Sequence, residues 1–275
     1  MPQAPAKTPL TPTTRLPRVA SLERSGLVRR EDLRDPEYRA LVGQLDGLDT
    51  GGGTLLSDGL RHWSRRWEYP YAIHGLYHYL SSLGRPGRAL DVACGYTDVP
   101  FVLTAVGHSV VGSDLDPALP PLWEARRAAP TVAGRAEYRP GDAEKLPFAD
   151  GEFDAAYCVS ALEHMNDPAA AAREMCRVVR PGGLVLITCD MEPQGIGLPY
   201  AKFSAMLAAL DAATDFHHPP RWCHPAEALT FGTREDDSRG AVRRTLAALT
   251  YPLRGGGRPP TDLAIYATAR LRKAT

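Results

Sequence analysis

Between residues 88 and 189 the chain alternates short apolar runs with segments of helical pattern, and nothing else in its 275 residues constrains the fold so tightly. Parallel strands need a crossover that returns the chain to the same end of the sheet, and a helix is the usual crossover. Residues 88–93, 109–113, 135–139, 153–160 and 184–189 read as five strands. The last is almost wholly apolar, as a strand covered on both faces must be. Helical pattern fills residues 99–106, about 120–129 and 167–179. The last of these is capped by Asp167, opened by Pro168 and stopped by Pro181-Gly182-Gly183. Residues 202–213 read as a further helix, and 264–271 alternate as a late strand. The expected fold is α/β, doubly wound around a mostly parallel sheet.

Upstream the pattern changes. Residues 1–20 are rich in Pro and Thr and read as a flexible or surface-draped arm. Residues 21–48 read as short helices with charged faces, and Gly51-Gly52-Gly53 is a break. Residues 57–83 are rich in aromatics. Pro70 falls inside them, so they read as two helices with a bend, or a loop followed by a helix. Trp63, Trp67, Tyr69 and Tyr71 form an amphipathic cluster, either a lid or the packing of these helices on the sheet. The organisation expected is an arm at 1–20, a helical lid at 21–84 and a main domain at 85–275, with substrate-side insertions around 191–260.

Composition excludes several classes of partner. The 32 basic and 32 acidic residues cancel, so no general field draws nucleic acid or an anionic membrane. The five cysteines lack CxxC spacing and read as reduced thiols. No apolar run suffices to cross a bilayer, and the N-terminus has no secretory core, so a cytoplasmic chain is expected. His74 and His78 share a helical face and, with His217, His218 or His224, would offer metal ligands. No third ligand stands at fixed spacing, so no metal is expected.

A strand, a small-residue turn and a helix make a nucleotide-site geometry. Here the turn is Asp91-Val92-Ala93-Cys94-Gly95-Tyr96-Thr97-Asp98. It lacks the GxGxxG of a dinucleotide site, and Asp91 beside it disfavours phosphate and favours a cation or amino group. Asp114 ends the next strand, about 20 residues on, where a carboxylate accepts from ribose hydroxyls. Asp142 follows the third strand and can accept from an exocyclic amine. All three acids stand at carboxyl ends of predicted parallel strands, where open α/β sheets place ligands.

The stretches LDVACGYTD, VVGSDLDP, GDAEKLPF, GEFDAAYCVSALEHM and the PGG-ended helix followed by LVLIT resemble the class I S-adenosylmethionine-dependent methyltransferases. The likeness is nearest to their small-molecule, quinone-biosynthesis-like branch and covers roughly residues 85–190. It implies a seven-stranded Rossmann-like sheet, S-adenosyl-L-methionine as cofactor and methyl transfer to a small molecule, in the setting of bacterial secondary metabolism. It also implies roles. Asp91 and the backbone of Ala93 and Gly95 border the methionine part, Asp114 holds the ribose, and Leu115 packs on the adenine. Asp142 reads the adenine amine, Ala143 offers a backbone N–H, and Ser160 sits by the reacting methyl. The segment SRRWEYPYA looks like a pre-sheet element of bacterial members, with Arg66 or Tyr69 near the amino-acid end. Ala93 and Thr97 stand where the family usually has glycines, which leaves the loop path open. His164 is the candidate general base, and Asp190, ending the fifth strand, can face substrate. The other function kept open is a protein of this fold that binds the cofactor but catalyses a rearrangement or cyclisation, or acts as a sensor.

Overall fold

A computed structural model describes residues 7–9, 11–51, 55–128, 135–191, 198–221, 223, 227–230 and 264–274. In chain order these form β1 (Thr8–Pro9), β2 (Gly26–Leu27), α1 (Pro36–Asp46), β3 (Leu48–Asp49), α2 (Leu55–Leu60), α3 (Arg65–Ser82), β4 (Arg88–Val92) and α4 (Val99–Ala105). There follow β5 (Ser109–Ser113), α5 (Leu119–Arg127), β6 (Ala136–Tyr138), β7 (Phe153–Val159), α6 (Pro168–Val178), β8 (Val179–Met191), α7 (Tyr200–Ala213), β9 (Thr214–Phe216) and β10 (Ala264–Arg272).

Strand side chains alternate between two apolar layers, as a period of two requires. Ala89, Ala155, Leu184 and Leu186 join the layer built with α3 and α4. Their neighbours Leu90, Ala156, Val185 and Ile187 join the layer built with α6 and α7. The sheet is therefore covered on both faces, the expected doubly wound arrangement. Its strand order is β2-β10-β8-β7-β4-β5-β6. The run β8-β7-β4-β5-β6 is parallel, and β10 is antiparallel to β8. After β4 the chain winds outward through β5 and β6, then returns to β7 on the other side of β4. That reversal makes the β4/β7 boundary the switch point, where a crevice opens at the strand ends.

Three expectations are revised. The main sheet has eight strands among the described residues, not seven. The outer edge of β10 takes β2 at Tyr266 and Ala267, and β9 at residues 270–272. Between them Ser25 fills the gap, its Oγ accepting from the Ala269 N–H at 3.3 Å. Residues 57–83 hold the end of α2 and the whole of α3, so the break falls at residues 61–64 and not at Pro70, which lies inside α3. A proline there leaves the carbonyl four residues back without its donor. That carbonyl belongs to Arg66, and the Tyr38 hydroxyl donates to it. The third is β8, which begins at Val179 and passes through Pro181-Gly182-Gly183; that sequence ends the helix without ending in a loop.

The described part of the N-terminal segment lies on this scaffold. β1 pairs with β3, and Leu16, Val19 and Leu22 are buried in the layer shared with α3. The insertions expected around 191–260 fall largely outside the described residues, as do Trp222 and His224. Among the described residues no helix is long and apolar enough to cross a membrane.

Candidate functional site

The site begins where β4 ends. Ala93 and Gly95 both take left-handed backbone, with φ of 52° and 51°. An alanine there costs roughly 1–2 kcal/mol, so its surroundings must hold it. They do so with three hydrogen bonds. The Cys94 N–H donates to the Ser113 carbonyl at 3.2 Å, and the Gly95 N–H to Asp114 Oδ2 at 2.9 Å. Trp123 Nε1 donates to the Gly95 carbonyl at 3.1 Å. The glycine-poor turn thus follows a tightly bent path despite Ala93 and Thr97, and Thr97 lines the cavity beyond it. Trp123 packs so closely that a Cβ on Gly112 would lie 2.3 Å from its ring.

Two cavities open along the strand ends and share Ala93. The first, about 250 Å³, is lined by Asp114, Leu115, Asp142, Ala143, Ala161 and His164 among others. Asp114 accepts backbone N–H groups of Gly95 and Asp116 on its two oxygens, each at 2.9 Å. Each oxygen retains a further lone pair for a ligand. Asp142 Oδ1 accepts from the Glu144 N–H at 2.9 Å. Leu115 is 71% exposed, a large apolar side chain open to the crevice with nothing packed over it.

The second cavity, about 220 Å³, is lined by Arg65, Tyr69, Asp91, Gly95, Tyr157 and Ser160 among others. Asp91 is buried and accepts from the Tyr157 hydroxyl at 2.9 Å. Burial pushes its carboxyl well above the ordinary range, Tyr157 opposes the rise and Asp114 adds to it. Burial also pushes the Tyr69 phenol up to about 12. Arg65, rather than the expected Arg66, faces this cavity. Successive helix residues diverge by about 100°, and the Arg66 carbonyl is the one turned to Tyr38.

Glu68 stands outside the sequence-derived site although it is fully buried beside it. It accepts from Arg65 Nη1 at 2.6 Å and from Ser160 Oγ at 2.5 Å. Ser160 is itself left-handed, with φ of 46°. An acid three residues after an arginine, inside an aromatic run, was the available signal. Two more carboxyls lie within electrostatic reach of Glu68 and Arg65, those of Glu163 and Asp190. Burial pushes Glu163 up to about 8, with Asp190 and Glu68 adding to the rise. Asp190 is pushed up to about 7 by burial and then by Glu68.

The expected residues therefore divide between the two cavities. Asp114, Leu115, Asp142, Ala143 and the exposed His164 line the first. Asp91, Gly95, Ser160 and Tyr69 line the second, and Ala93 lies on both. His74, His78, His217 and His218 converge elsewhere, on a cavity of about 330 Å³. There His74 Nε2 accepts from the Val19 N–H at 3.0 Å, and His78 Nε2 lies 3.1 Å from the Pro17 carbonyl. Among the described residues no group of three or more His, Cys, Asp or Glu is arranged to hold a metal ion.

Comparison with known proteins agrees with this geometry. Residues 90–187 match the family described as a methyltransferase domain. The chain is 36% identical over 129 residues to a demethylmenaquinone methyltransferase of Beutenbergia cavernae, covering 46% of this chain and 49% of that one. It is 32% identical over 178 residues to a 2-methyl-6-phytyl-1,4-hydroquinone methyltransferase of Synechocystis, covering 61% and 51%. The chain thus spans about half the length of these curated relatives. Among solved structures, the cyclase SpnF shares the fold with a TM-score of 0.52 at 20% identity, over 76% of this chain and 84% of that one. Over residues 90–187 the chain is therefore similar to the methyltransferase-domain family.

Proposed function

We propose that the chain binds S-adenosylmethionine across the two joined cavities and transfers its methyl group to a small-molecule acceptor, in the setting of bacterial secondary metabolism. The observation that carries this reading is the pair of cavities meeting at Ala93 over the switch point, with an acid at each strand end. The residues suit the cofactor in kind as well as in place. Exposed Leu115 supplies an apolar face for adenine, Asp142 an acceptor for its amine, and Ala143 a backbone donor. Asp114 keeps lone pairs for the ribose hydroxyls, and buried Asp91 meets an ammonium group, which would restore its charged form. When bound, the cofactor supplies a methyl carbon on a sulfonium, and the carbon–sulfur electron pair returns to sulfur on transfer.

The protein's own work is alignment and exclusion of water. The left-handed turns at Ala93, Gly95 and Ser160 fix the backbone path along the wall of the cavities. The hydrogen-bonded Arg65–Glu68–Ser160 chain, buried at Glu68 and Ser160, holds the second cavity's wall in one arrangement. Holding the reactants in line is worth several kcal/mol of the barrier.

Calorimetry with S-adenosylmethionine and S-adenosylhomocysteine tests the reading. Both should bind. Asp114→Ala should weaken them about 100-fold, from two hydrogen bonds to a charged group at ~1.5 kcal/mol each. Absence of binding by either compound to the wild type would overturn the reading. A panel of hydroquinones, phenols and amines offered with methyl-labelled cofactor then tests transfer. Turnover of an acceptor without stoichiometric S-adenosylhomocysteine would favour rearrangement or cyclisation instead.

A further inference from the structure

Helix α7 is apolar around its circumference: apart from Tyr200, its only polar side chains are Lys202, Ser204 and Asp211. A helix of that kind needs cover on more than one side. Phe203, Met206 and Leu210 find it in the layer shared with α6. A second stripe, Tyr200, Ser204, Leu207 and Asp211, recurs every three or four residues and faces a cavity of about 470 Å³. Leu27 of β2 and Tyr266 of β10, paired in register, form its opposite wall. The Phe203 and Tyr266 rings, both on the cavity, meet edge to face at 4.9 Å. Tyr200 and Phe216 border it as well and remain 74% and 41% exposed. Large aromatic rings left open beside an apolar hollow mark a binding site. The volume lies within the roughly 300–1,000 Å³ of small-molecule sites. None of the described residues that line it lies on either cavity assigned to the cofactor.

Charge selects among apolar ligands here. The Arg270 side chain, only 3% exposed, lines the cavity and is paired with Asp211. Its Nε donates to Thr268 Oγ1 at 3.2 Å, and its guanidinium lies 4.0 Å over the Phe216 ring. That cation is neutralised and held in place. Arg221 differs: it lines the same cavity, is exposed and has no ion pair among the described residues. One positive charge is left over. A cationic ligand meets repulsion there, and a neutral one leaves the charge unused. A dianion brings a second charge into apolar surroundings with nothing to pair it. We propose that the cavity between α7 and the outer strands β2 and β10 is a second ligand site, separate from the cofactor's, that takes an amphipathic monoanion. The apolar body lies between Leu207 and the Leu27–Tyr266 wall. The acidic group, a carboxylate or another singly charged acid, meets Arg221.

Fluorescence titration of the full chain tests the site with two probes that share one apolar body. Anilinonaphthalene sulfonate is a monoanion, and phenyl-naphthylamine is the same body without the acid. The wild type should bind the anionic probe at a single site, about 10-fold more tightly than the neutral one, the factor that one charge-assisted hydrogen bond supplies. Arg221→Gln should remove that preference by weakening the anionic probe alone. Leu207→Trp, which fills the cavity, should weaken both probes about 10-fold or more. Saturating S-adenosylhomocysteine should leave both affinities within about threefold, a check on separateness that needs no methyl transfer. Binding of neither probe would overturn the proposal. So would equal binding of the two, or an anionic preference that survives in Arg221→Gln. Displacement of the anionic probe by S-adenosylhomocysteine would overturn it too, since the probe would then occupy the cofactor cavities. Unchanged binding in Leu207→Trp would do the same, by placing the probes outside this cavity.

Discussion

Ala93 holds the site open by adopting a backbone that alanine disfavours. Its φ of 52° is glycine territory, and the family's usual residue at this place is glycine. Ala93→Gly should therefore be neutral to about 1 kcal/mol stabilising, whereas glycine at an ordinary position costs roughly 0.5–1 kcal/mol. Urea unfolding measures it, and a loss above 1 kcal/mol would show that the surroundings favour the methyl group. Residue by residue, the places of Asp91 near the end of β4, Asp114 directly after β5 and Asp142 in the loop after β6 were legible because the strands themselves were readable. Arg65 was not, because adjacent arginines differ only in helical phase, and the phase of α3 was hidden by Pro70. Glu68 was missed for a related reason. Its partners Ser160 and Arg65 come together only once the helix is laid across the sheet, 92 residues from Ser160 in sequence.

At the scale of elements, one buried carboxylate ties three segments to the first helix of the parallel domain. Asp98, just before α4, is fully buried. It accepts from Thr50 Oγ1 at 2.8 Å, from the Leu56 N–H at 2.9 Å and from Arg126 of α5. Arg126 also lies 4.2 Å over the Phe101 ring of α4. Asp98→Ala strands a buried guanidinium and two donors, so a loss of about 3–5 kcal/mol is expected. Thermal or urea unfolding would register it, and a loss below 1 kcal/mol would mean the junction is dispensable. The central strands and helices were readable because strand periodicity and caps such as Asp167, which accepts from the Ala170 N–H at 2.9 Å, are local signals. The single α3 was not, since its continuity through Pro70 depends on Tyr38, a residue from α1 whose position no local pattern reveals. The two-residue strand β2 was equally silent, being too short to show alternation.

For the whole molecule, buried titratable groups set opposite limits on stability. Burial, with His78, His218 and Arg18 adding, pushes His74 down to about 3, and His218 falls to about 4. The unfolded chain takes protons on these rings near 6.5 and the folded one resists. Their stabilisation is thus complete above 6.5 and is lost as pH falls toward 3. Glu163 acts in reverse. Unfolded, it gives up its proton near 4.5; folded, it keeps it to about 8, so stability declines as pH rises across that interval. The unfolding free energy should peak between about pH 5 and 6.5. Glu163→Gln should flatten the alkaline decline, and His74→Gln, which retains an acceptor for Val19, the acid one. Unfolding curves across this range check both, and an unaltered profile in either variant would count against the burial argument.

The outer margin of β10 carries a different kind of consequence. Thr230, Val28, β2, Ser25, His217 and β9 meet it in succession. A bare sheet margin is a template on which a stranger's backbone can dock and seed aggregation. Here pieces borrowed from distant parts of the same chain occupy that template, each too brief to expose a fresh margin of its own. Loosening the segment around Ser25 would accordingly harm solubility before it harmed chemistry.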